Sequence, residues 1–182
     1  KYAISKESGL KEDEYYEKQI VDPYAKSLCS RNGPGIALTV KSGNGTRFEP
    51  PAAEELVILE AHLRDLLAHA PIELTDEERL EFRGLSKWLK SDDCYLKKLG
   101  VNAIELQPIH QFDSKSKDEY HWGYMPVNFF APCSHYGSDA QMVNSEFKEL
   151  VSNFHDSGLA VILDVVYNHV GIPQHLMHID RE

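Results

Sequence analysis

Three short apolar runs, each separated from the next by a segment with helical periodicity, constrain the fold of this chain more than any other feature. The runs cover residues 56–63, 101–107 and 159–166, and the helical patterns between them lie at 84–100 and 138–158. Strands that alternate with helices are typical of a parallel sheet, and strands that are apolar on both faces predict a sheet covered on both sides. The sequence therefore predicts an α/β fold.

Residues with strong conformational preferences mark the ends of these elements. Pro108 is expected to end the second strand, and Gly100 the helix before it. Ser138 is placed to cap the start of the second helix, and Gly158 to end that helix in a left-handed conformation. Between positions 109 and 138 we predict a long loop rich in aromatic side chains.

The first fifty residues have a different character. Glycine-rich turns bracket the alternating run Ile36–Val40, which predicts a strand, and Asn44-Gly45 is typical of a hairpin turn. Two consecutive prolines then stop both strand and helix. We therefore expect residues 1–50 to be the end of a small β module with its linker, and residues 51–182 to be the first part of the α/β domain.

Charge and composition exclude two kinds of partner and leave the compartment open. The formal net charge is −10, whereas a nucleic-acid-binding protein needs a basic surface. No run of about 18 apolar residues occurs, so no membrane-spanning helix is predicted. Cys29, Cys94 and Cys133 stand far apart and form neither a C-x-x-C pair nor a zinc pattern, which predicts free thiols. The cytoplasm and secretion are both compatible with these features.

Polar side chains follow each of the three predicted strands, at the point where the apolar run ends. The carboxyl ends of parallel strands lie at one edge of a sheet, which is where α/β proteins build their sites. We therefore expect one working end, with most of its chemistry after the third strand. The residues concerned are His62, Arg64, Asp65, Glu105, Gln107, Asp164, Asn168 and His169.

The motifs for other common chemistries are absent from the chain. Its glycine-rich turns flank a β segment and not a strand-to-helix junction, so nucleotide binding is not indicated, and no G-x-S-x-G occurs. His169, His175 and His178, with Asp180, have the spacing H-x5-H-x2-H, which matches no metal-binding pattern that has a geometric rationale. We interpret them as surface residues and predict no metal ligands.

Two aromatic residues in the predicted loop suit the binding of sugars. Trp122 and Tyr124 each combine a flat ring with a polar group, and Gly123 between them lets the backbone approach a ligand. A sugar ring presents an apolar face of C–H groups and a rim of hydroxyls. Aromatic faces beside imidazole, amide and carboxylate groups complement both, so a neutral carbohydrate is the expected ligand.

Five segments together resemble a known family. Residues 164–169, DVVYNH, resemble the first conserved region of the α-amylase superfamily, at the end of the third barrel strand. Residues 122–132 resemble the loop that precedes this region in pullulanase- and isoamylase-type debranching enzymes. Segment 56–66 resembles the first barrel strand, and 96–109 resembles the first helix and second strand. Segment 21–28 resembles the run that leaves a preceding β-sandwich module. All five occur in the order that the family has.

The resemblance implies a fold and a role for each site residue. The fold would be the first three β/α units of a (β/α)8 TIM barrel, preceded by the tail of a β-sandwich module. His169 would hydrogen-bond the reacting sugar, Tyr124 would stack beneath it, and Trp122 would bind the same substrate. Asp164 would be a supporting carboxylate, although a purely structural role is equally open. Asn168 supports the site and is a calcium ligand in many relatives, though not reliably in debranching ones, and no other cofactor is implied.

The resemblance also implies an activity, but these 182 residues do not contain all the groups that the activity needs. Such enzymes are retaining glycoside hydrolases or transferases that need two carboxyl groups about 5–5.5 Å apart. In the family the catalytic carboxylates follow the fourth, fifth and seventh strands, and no segment of these 182 residues resembles those regions. We therefore expect a debranching hydrolase of α-1,6 bonds in pullulan, starch or glycogen. This chain would supply sugar-binding residues, be inactive alone, and need the remainder of the barrel as a continuation or a second chain.

Two alternatives stay open on the sequence alone. A glycogen branching enzyme or an α-amylase shares the region at 164–169, so that region does not distinguish them from a debranching enzyme. A non-catalytic carbohydrate-binding protein that has only the first half of the barrel is the alternative from another class.

Overall fold

The computed structural model describes residues 20–39, 48–177 and 179. Among them, no helix has the length and apolar character needed to cross a membrane. Four short 3-10 turns accompany the regular elements in this part of the chain. In chain order these elements are β1 (Ile58–Ala61), α1 (Leu63–Ala68), α2 (Phe82–Leu89), β2 (Ala103–Leu106), β3 (His110–Phe112), β4 (Pro126–Pro132), α3 (Val143–Asp156), β5 (Ala160–Leu163) and α4 (Gln174–Met177).

The three predicted strands form one parallel sheet in the order β1-β2-β5. Each strand is shorter than its apolar run at both ends. In the register of the sheet, Glu60 pairs with Glu105, and Glu105 pairs with Ile162. The prediction of a parallel α/β arrangement is confirmed.

The two faces of the sheet differ, which corrects the expectation of strands that are apolar on both sides. Side chains alternate along a strand, and Ile104 and Leu106 belong to the main hydrophobic core. In that core they join Trp88 of α2 and Phe154 of α3, both fully buried. The opposite face carries Glu60 and Glu105 beside Ile58 and Ile162, so it is partly charged and partly open.

The segment predicted as a loop contains an antiparallel hairpin of β3 and β4. Its register shifts twice, between His110 and Gln111 and between Gln111 and Phe112. Prolines at both ends of β4, Pro126 and Pro132, remove two donors from the ladder. Residues 113–125 connect the strands, and no two-residue turn signal marks them, which explains why the sequence did not reveal the hairpin.

The first predicted helix is shorter and is divided. It begins at Phe82, before Gly84, and ends at Leu89, and a 3-10 turn follows at Tyr95–Lys98. The break falls on Ser91-Asp92-Asp93, whose short polar side chains compete with helical backbone bonds. Helix α1 was not predicted, because its apolar residues extend the strand pattern directly.

The second predicted helix is confirmed, but its predicted cap is wrong. Helix α3 begins at Val143, and Ser138 lies in the preceding turn, where its N–H and its hydroxyl both bond the Glu146 carboxylate. Gly158 follows the last helical turn with φ +78°. This is the left-handed conformation that glycine adopts without strain, as predicted.

Residues 20–39 pack beside β4 as an irregular segment. Val21, Ala25 and Leu28 form a small core with Ala131. The strand predicted at Ile36–Val40 is absent over positions 36–39. One isolated bridge, between Leu28 and Gly35, is the pairing found there, and a strand without a partner ladder is not stable. Val40 and the predicted Asn44-Gly45 turn lie outside the described residues, and the predicted domain boundary stays a prediction.

Candidate functional site

The polar residues after β5 meet the connection between β3 and β4 at the carboxyl edge of the sheet. Asp164 directly follows β5, and its N–H donates to the carbonyl oxygen of Leu106 at 3.0 Å, which extends the ladder by one residue. Because side chains alternate, Asp164 falls on the open face of the sheet, together with Ile162. Its Oδ2 accepts a hydrogen bond from the hydroxyl of Tyr124 at 2.5 Å.

His169 holds the same connection from the other side. Its Nε2 lies 2.5 Å from the carbonyl oxygen of Tyr124, and its Nδ1 lies 3.1 Å from the side-chain amide of Asn168. A carbonyl oxygen can only accept, so Nε2 carries a proton. Tyr124 is therefore bound twice by the segment after β5, through its hydroxyl and through its backbone.

Two further backbone bonds fix this arrangement. The N–H of Gly171 donates to the carbonyl of Pro126 at 2.7 Å, and the N–H of Asp113 donates to that of Met125 at 2.9 Å. A Cβ on Gly171 would lie 2.6 Å from the Met125 carbonyl oxygen, closer than van der Waals contact allows. Glycine at position 171 thus permits the close approach of the two segments.

The turn before Tyr124 also requires glycine. Gly123 has φ +92°, and a Cβ there would lie 2.5 Å from the carbonyl oxygen of Pro108. Its N–H donates to Nδ1 of His121 at 2.9 Å. The His121 ring in turn stacks on Phe112 of β3, with ring centroids 4.7 Å apart. The conformation that presents Tyr124 is therefore fixed by local contacts.

Electrostatics keep the Tyr124 hydroxyl protonated. Partial burial raises the pKa of Tyr124, and so do its hydrogen bond to Asp164 and the negative charge of that carboxylate. The charges of Glu60 and Glu105 on the open face act in the same direction. Glu60 itself accepts a hydrogen bond from the Gln107 amide at 3.1 Å. The hydroxyl is thus a permanent donor to Asp164.

A buried histidine that the sequence did not single out lies beneath this site. His110 of β3 is 5% exposed, and its Nε2 finds no partner within the described part of the chain. Burial lowers the pKa of His110 to about 4, against the opposing effects of the Asp164 charge and a hydrogen bond with the Gly123 backbone. The ring is therefore neutral near pH 7. Strand β3 is too short to show a periodic pattern, so no sequence signal marked this residue.

A second buried cluster supports the first half of the connection. Arg64 of α1 is 6% exposed, and its guanidinium donates to the carbonyls of Leu80, Glu119 and His135. It also lies over the ring of Tyr136 at 5.1 Å. The Arg64 guanidinium therefore ties the middle of the connection, at Glu119, to the 3-10 turns that contain Leu80 and His135.

The structure brings four of the five predicted site residues together. Tyr124, Asp164, Asn168 and His169 form one hydrogen-bonded group. Trp122 lies two residues from Tyr124 along the chain and is 62% exposed. The described residues include no set of three or more His, Cys, Asp or Glu side chains able to hold a metal ion. The side-chain oxygen of Asn168 lies 3.1 Å from Nδ1 of His169.

The chain is similar in sequence to several known proteins. The sequence profile of the α-amylase catalytic domain matches residues 81–179. The chain belongs to the α-amylase family. Pullulanase from Bacillus subtilis (strain 168) is 35% identical over 170 residues, which cover 84% of this chain and 23% of that protein. Isoamylase 3, chloroplastic, from Oryza sativa subsp. japonica is 32% identical over 177 residues, or 82% of this chain and 22% of that protein.

A solved structure shows the same fold. Pullulanase from Paenibacillus barengoltzii, in complex with maltohexaose and α-cyclodextrin, superposes with a TM-score of 0.74 at 30% identity and covers 88% of this chain and 28% of that one. The family match and this neighbour indicate a TIM-barrel fold, of which the described residues form an α/β part. The chain spans less than a quarter of the length of the two curated relatives.

Proposed function

We propose that this chain forms part of a retaining hydrolase that cleaves α-1,6 branch bonds in pullulan, starch or glycogen. It supplies sugar-binding residues, and the carboxylates that break the bond lie outside these 182 residues. The observation that supports the proposal is the hydrogen-bonded group of Tyr124, Asp164 and His169 at the carboxyl edge of the sheet. That group occurs in a family member whose relatives include a pullulanase and an isoamylase.

Each residue has a distinct role in this proposal. The ring of Tyr124 stacks beneath the sugar that reacts, while its hydroxyl stays on Asp164. The exposed imidazole of His169 moves toward a sugar hydroxyl and is oriented by Asn168. Trp122 offers a further exposed ring. Asp164 acts through Tyr124, because its Oδ2 accepts the Tyr124 hydroxyl, and so it is a positioning residue.

The proposal also assigns each part of the chain a place in the complete fold. We place β1, β2 and β5 as the first three strands of the barrel, since they are parallel, adjacent and in chain order. Residues 1–50 would then be the end of a β-sandwich-like module with its linker, and 51–182 the first part of the barrel. The open face with Glu60 and Glu105 would face the barrel interior. The remaining strands, as a continuation or a second chain, are the required partner.

The test is an assay of the gene product that carries this sequence, with pullulan and linear amylose as substrates. A debranching hydrolase releases reducing ends from pullulan and none from amylose. Release from amylose alone would instead indicate an α-amylase, and chain transfer without new reducing ends a branching enzyme. Binding of either glucan without turnover would indicate a non-catalytic carbohydrate-binding protein, and any of these three results would overturn the proposal.

A further inference from the structure

We propose that Arg31 is a positioning residue of the glucan site. The turn that carries Arg31 holds together the two segments that present Tyr124 and His169, so the N-terminal segment affects catalysis without touching the sugar. This inference rests on the proposed function, because it assumes that His169 acts on a glucan. No motif in the sequence marked Arg31, and the hydrogen-bonded group around Tyr124 does not include it.

Arg31 and Asn32 are the two central residues of a tight turn. The N–H of Gly33 donates to the carbonyl of Ser30 at 3.1 Å and closes the turn. A Cβ on Gly33 would lie 2.9 Å from the backbone nitrogen of Ser30, closer than van der Waals contact allows. Glycine therefore permits the chain to fold back this tightly, and the turn keeps Arg31 and Asn32 in a defined place.

The turn contacts both segments that build the site. The guanidinium of Arg31 forms an ion pair with the carboxylate of Asp113, the first residue after β3. The Nε2 of His175, in α4, donates to the side-chain oxygen of Asn32 at 3.1 Å. The first contact reaches the connection between β3 and β4, and the second reaches the segment after β5. They span 82 and 143 residues of sequence, respectively.

Asp113 lies between these two segments. Its N–H donates to the carbonyl of Met125 at 2.9 Å, and its Cβ would lie 3.0 Å from a methyl group at Gly171. Met125 directly follows Tyr124, and Gly171 lies two residues after His169. A shift of Asp113 is therefore transmitted by backbone contacts, and it changes the position of Tyr124 relative to His169.

The ion pair is sheltered enough to act as a restraint. The side chain of Arg31 is 27% exposed and that of Asp113 is 25% exposed. Water therefore screens this pair less than it screens Lys90 and Glu149, whose side chains are each 58% exposed. The donors of a guanidinium lie in one fixed plane, so the pair restrains orientation as well as distance. Without Arg31, the carboxylate of Asp113 would lose this restraint.

The test is a double-mutant cycle on pullulan hydrolysis by the gene product. Arg31→Ala should lower kcat/KM by about 10- to 100-fold, because a displacement of about 1 Å costs on the order of 100-fold. In the His169→Ala background, the same change should cost less than about threefold, since the group that must be aligned with Tyr124 is already absent. A role in stability alone would give the same factor in both backgrounds.

The matched control removes an ion pair far from the site. Lys90→Ala breaks the exposed pair with Glu149, whose atoms lie 2.7 Å apart, and it should keep the kinetics of wild type. Thermal melting measures whether each variant is folded at the assay temperature. If Arg31→Ala does not fold, Arg31→Gln, which removes the charge and keeps most of the side chain, replaces it in the cycle.

The outcomes separate this inference from the proposed function. If wild type hydrolyses pullulan and the Arg31 variant has wild-type kinetics, or an equal loss in both backgrounds, Arg31 is not a positioning residue and the proposed function stands. If wild type hydrolyses no pullulan, the proposed function fails and this inference fails with it.

Discussion

The hydroxyl of Tyr124 and the carboxylate of Asp164 are joined by a hydrogen bond of 2.5 Å that links two segments 40 residues apart. One segment connects β3 to β4, and the other leaves β5. Without this bond, the ring of Tyr124 would be free to rotate about its side-chain torsions, and Asp164 would lose a donor in a partly buried position. The bond therefore orients the ring face and accounts for an aspartate at the end of a strand whose other residues are apolar.

The first prediction concerns Tyr124 and its hydrogen bond to Asp164. Tyr124→Phe keeps the ring and loses the bond to Asp164, so glucan affinity should fall by no more than about threefold. Tyr124→Ala removes the ring and should cost about 1–3 kcal/mol of binding free energy, the magnitude of ring stacking. Calorimetry with maltotriose measures both. Equal losses in the two variants would show that the hydroxyl, and not the ring face, carries binding.

The sequence predicted the parallel sheet because burial in such a sheet leaves a local signal. The runs that contain Ile104 and Val161 are apolar and follow helical segments, and the structure places both residues in one core. Hairpin β3–β4 left no such signal. Its two strands are separated by residues 113–125, and one of them has three residues. Long-range pairing of short strands is decided by tertiary contacts that local patterns do not contain.

The candidate site, like the fold, could be predicted only in part from the sequence. Asp164, Asn168 and His169 were identified because they directly follow an apolar run, and the structure groups them. The structural importance of His110 and Gly171 was not predictable. Each depends on partners far away in sequence, since His110 is buried by the fold near the Asp164 carboxylate and the atom next to Gly171 is the Met125 carbonyl oxygen.

The second prediction concerns His169. In the gene product, His169→Ala should lower kcat/KM on branched glucan by roughly 100- to 1000-fold. A hydrogen bond that strengthens as charge develops in the transition state contributes about 2.7–4 kcal/mol. The fold should change little, because His169 is exposed. Steady-state kinetics on pullulan measure the effect, with the exposed His69→Ala as control, and activity within threefold of wild type would contradict the role.

The third prediction tests the close approach at Gly171. In Gly171→Ala the new methyl group would lie 2.6 Å from the Met125 carbonyl oxygen and 3.0 Å from Cβ of Asp113. The segment that carries His169 must then move, and a displacement of about 1 Å costs on the order of 100-fold in activity. Pullulan hydrolysis measures the loss. Gly35→Ala would place its methyl 3.3 Å from the Cβ of Ala25, which needs to move by only a few tenths of an ångström, and it should stay close to wild type.

The fourth prediction follows from the buried ring of His110. Its folded-state pKa, about 4, lies below the ordinary value of 6.5. The unfolded chain therefore binds a proton that the folded protein excludes as the pH falls from 6.5 toward 4, and stability is lost over that interval. Between pH 7 and pH 5 this effect amounts to about 2 kcal/mol of unfolding free energy.

Urea unfolding of the gene product at the two pH values measures the effect of His110. His110→Gln has no titrating ring, so its unfolding free energy should fall by about 2 kcal/mol less than that of wild type between pH 7 and pH 5. The exposed His69→Gln is the matched control and should show the pH dependence of wild type. If His110→Gln loses as much stability as wild type over this interval, the ring is not held neutral by the fold.

The last prediction concerns the 182 residues expressed alone, which should not cleave pullulan. A retaining mechanism needs a nucleophile and an acid/base carboxyl about 5–5.5 Å apart. Asp164 is not a free nucleophile, because its Oδ2 is bound by the hydroxyl of Tyr124. Tyr124 and His169 can bind and orient a sugar, but neither group can form and then release a glycosyl intermediate in place of the missing carboxylates.

The open face of the sheet should also affect the solution state of these 182 residues. Ile58 and Ile162 lie on it, and Ile58 is 45% exposed. In a barrel, such side chains fill a core shared by eight strands, so here they favour association between chains. Size-exclusion chromatography with light scattering should show larger species, and a reducing-sugar assay should match a His169→Ala control. A sharp monomer peak would contradict the association, and sustained release above that control would contradict the absence of catalysis.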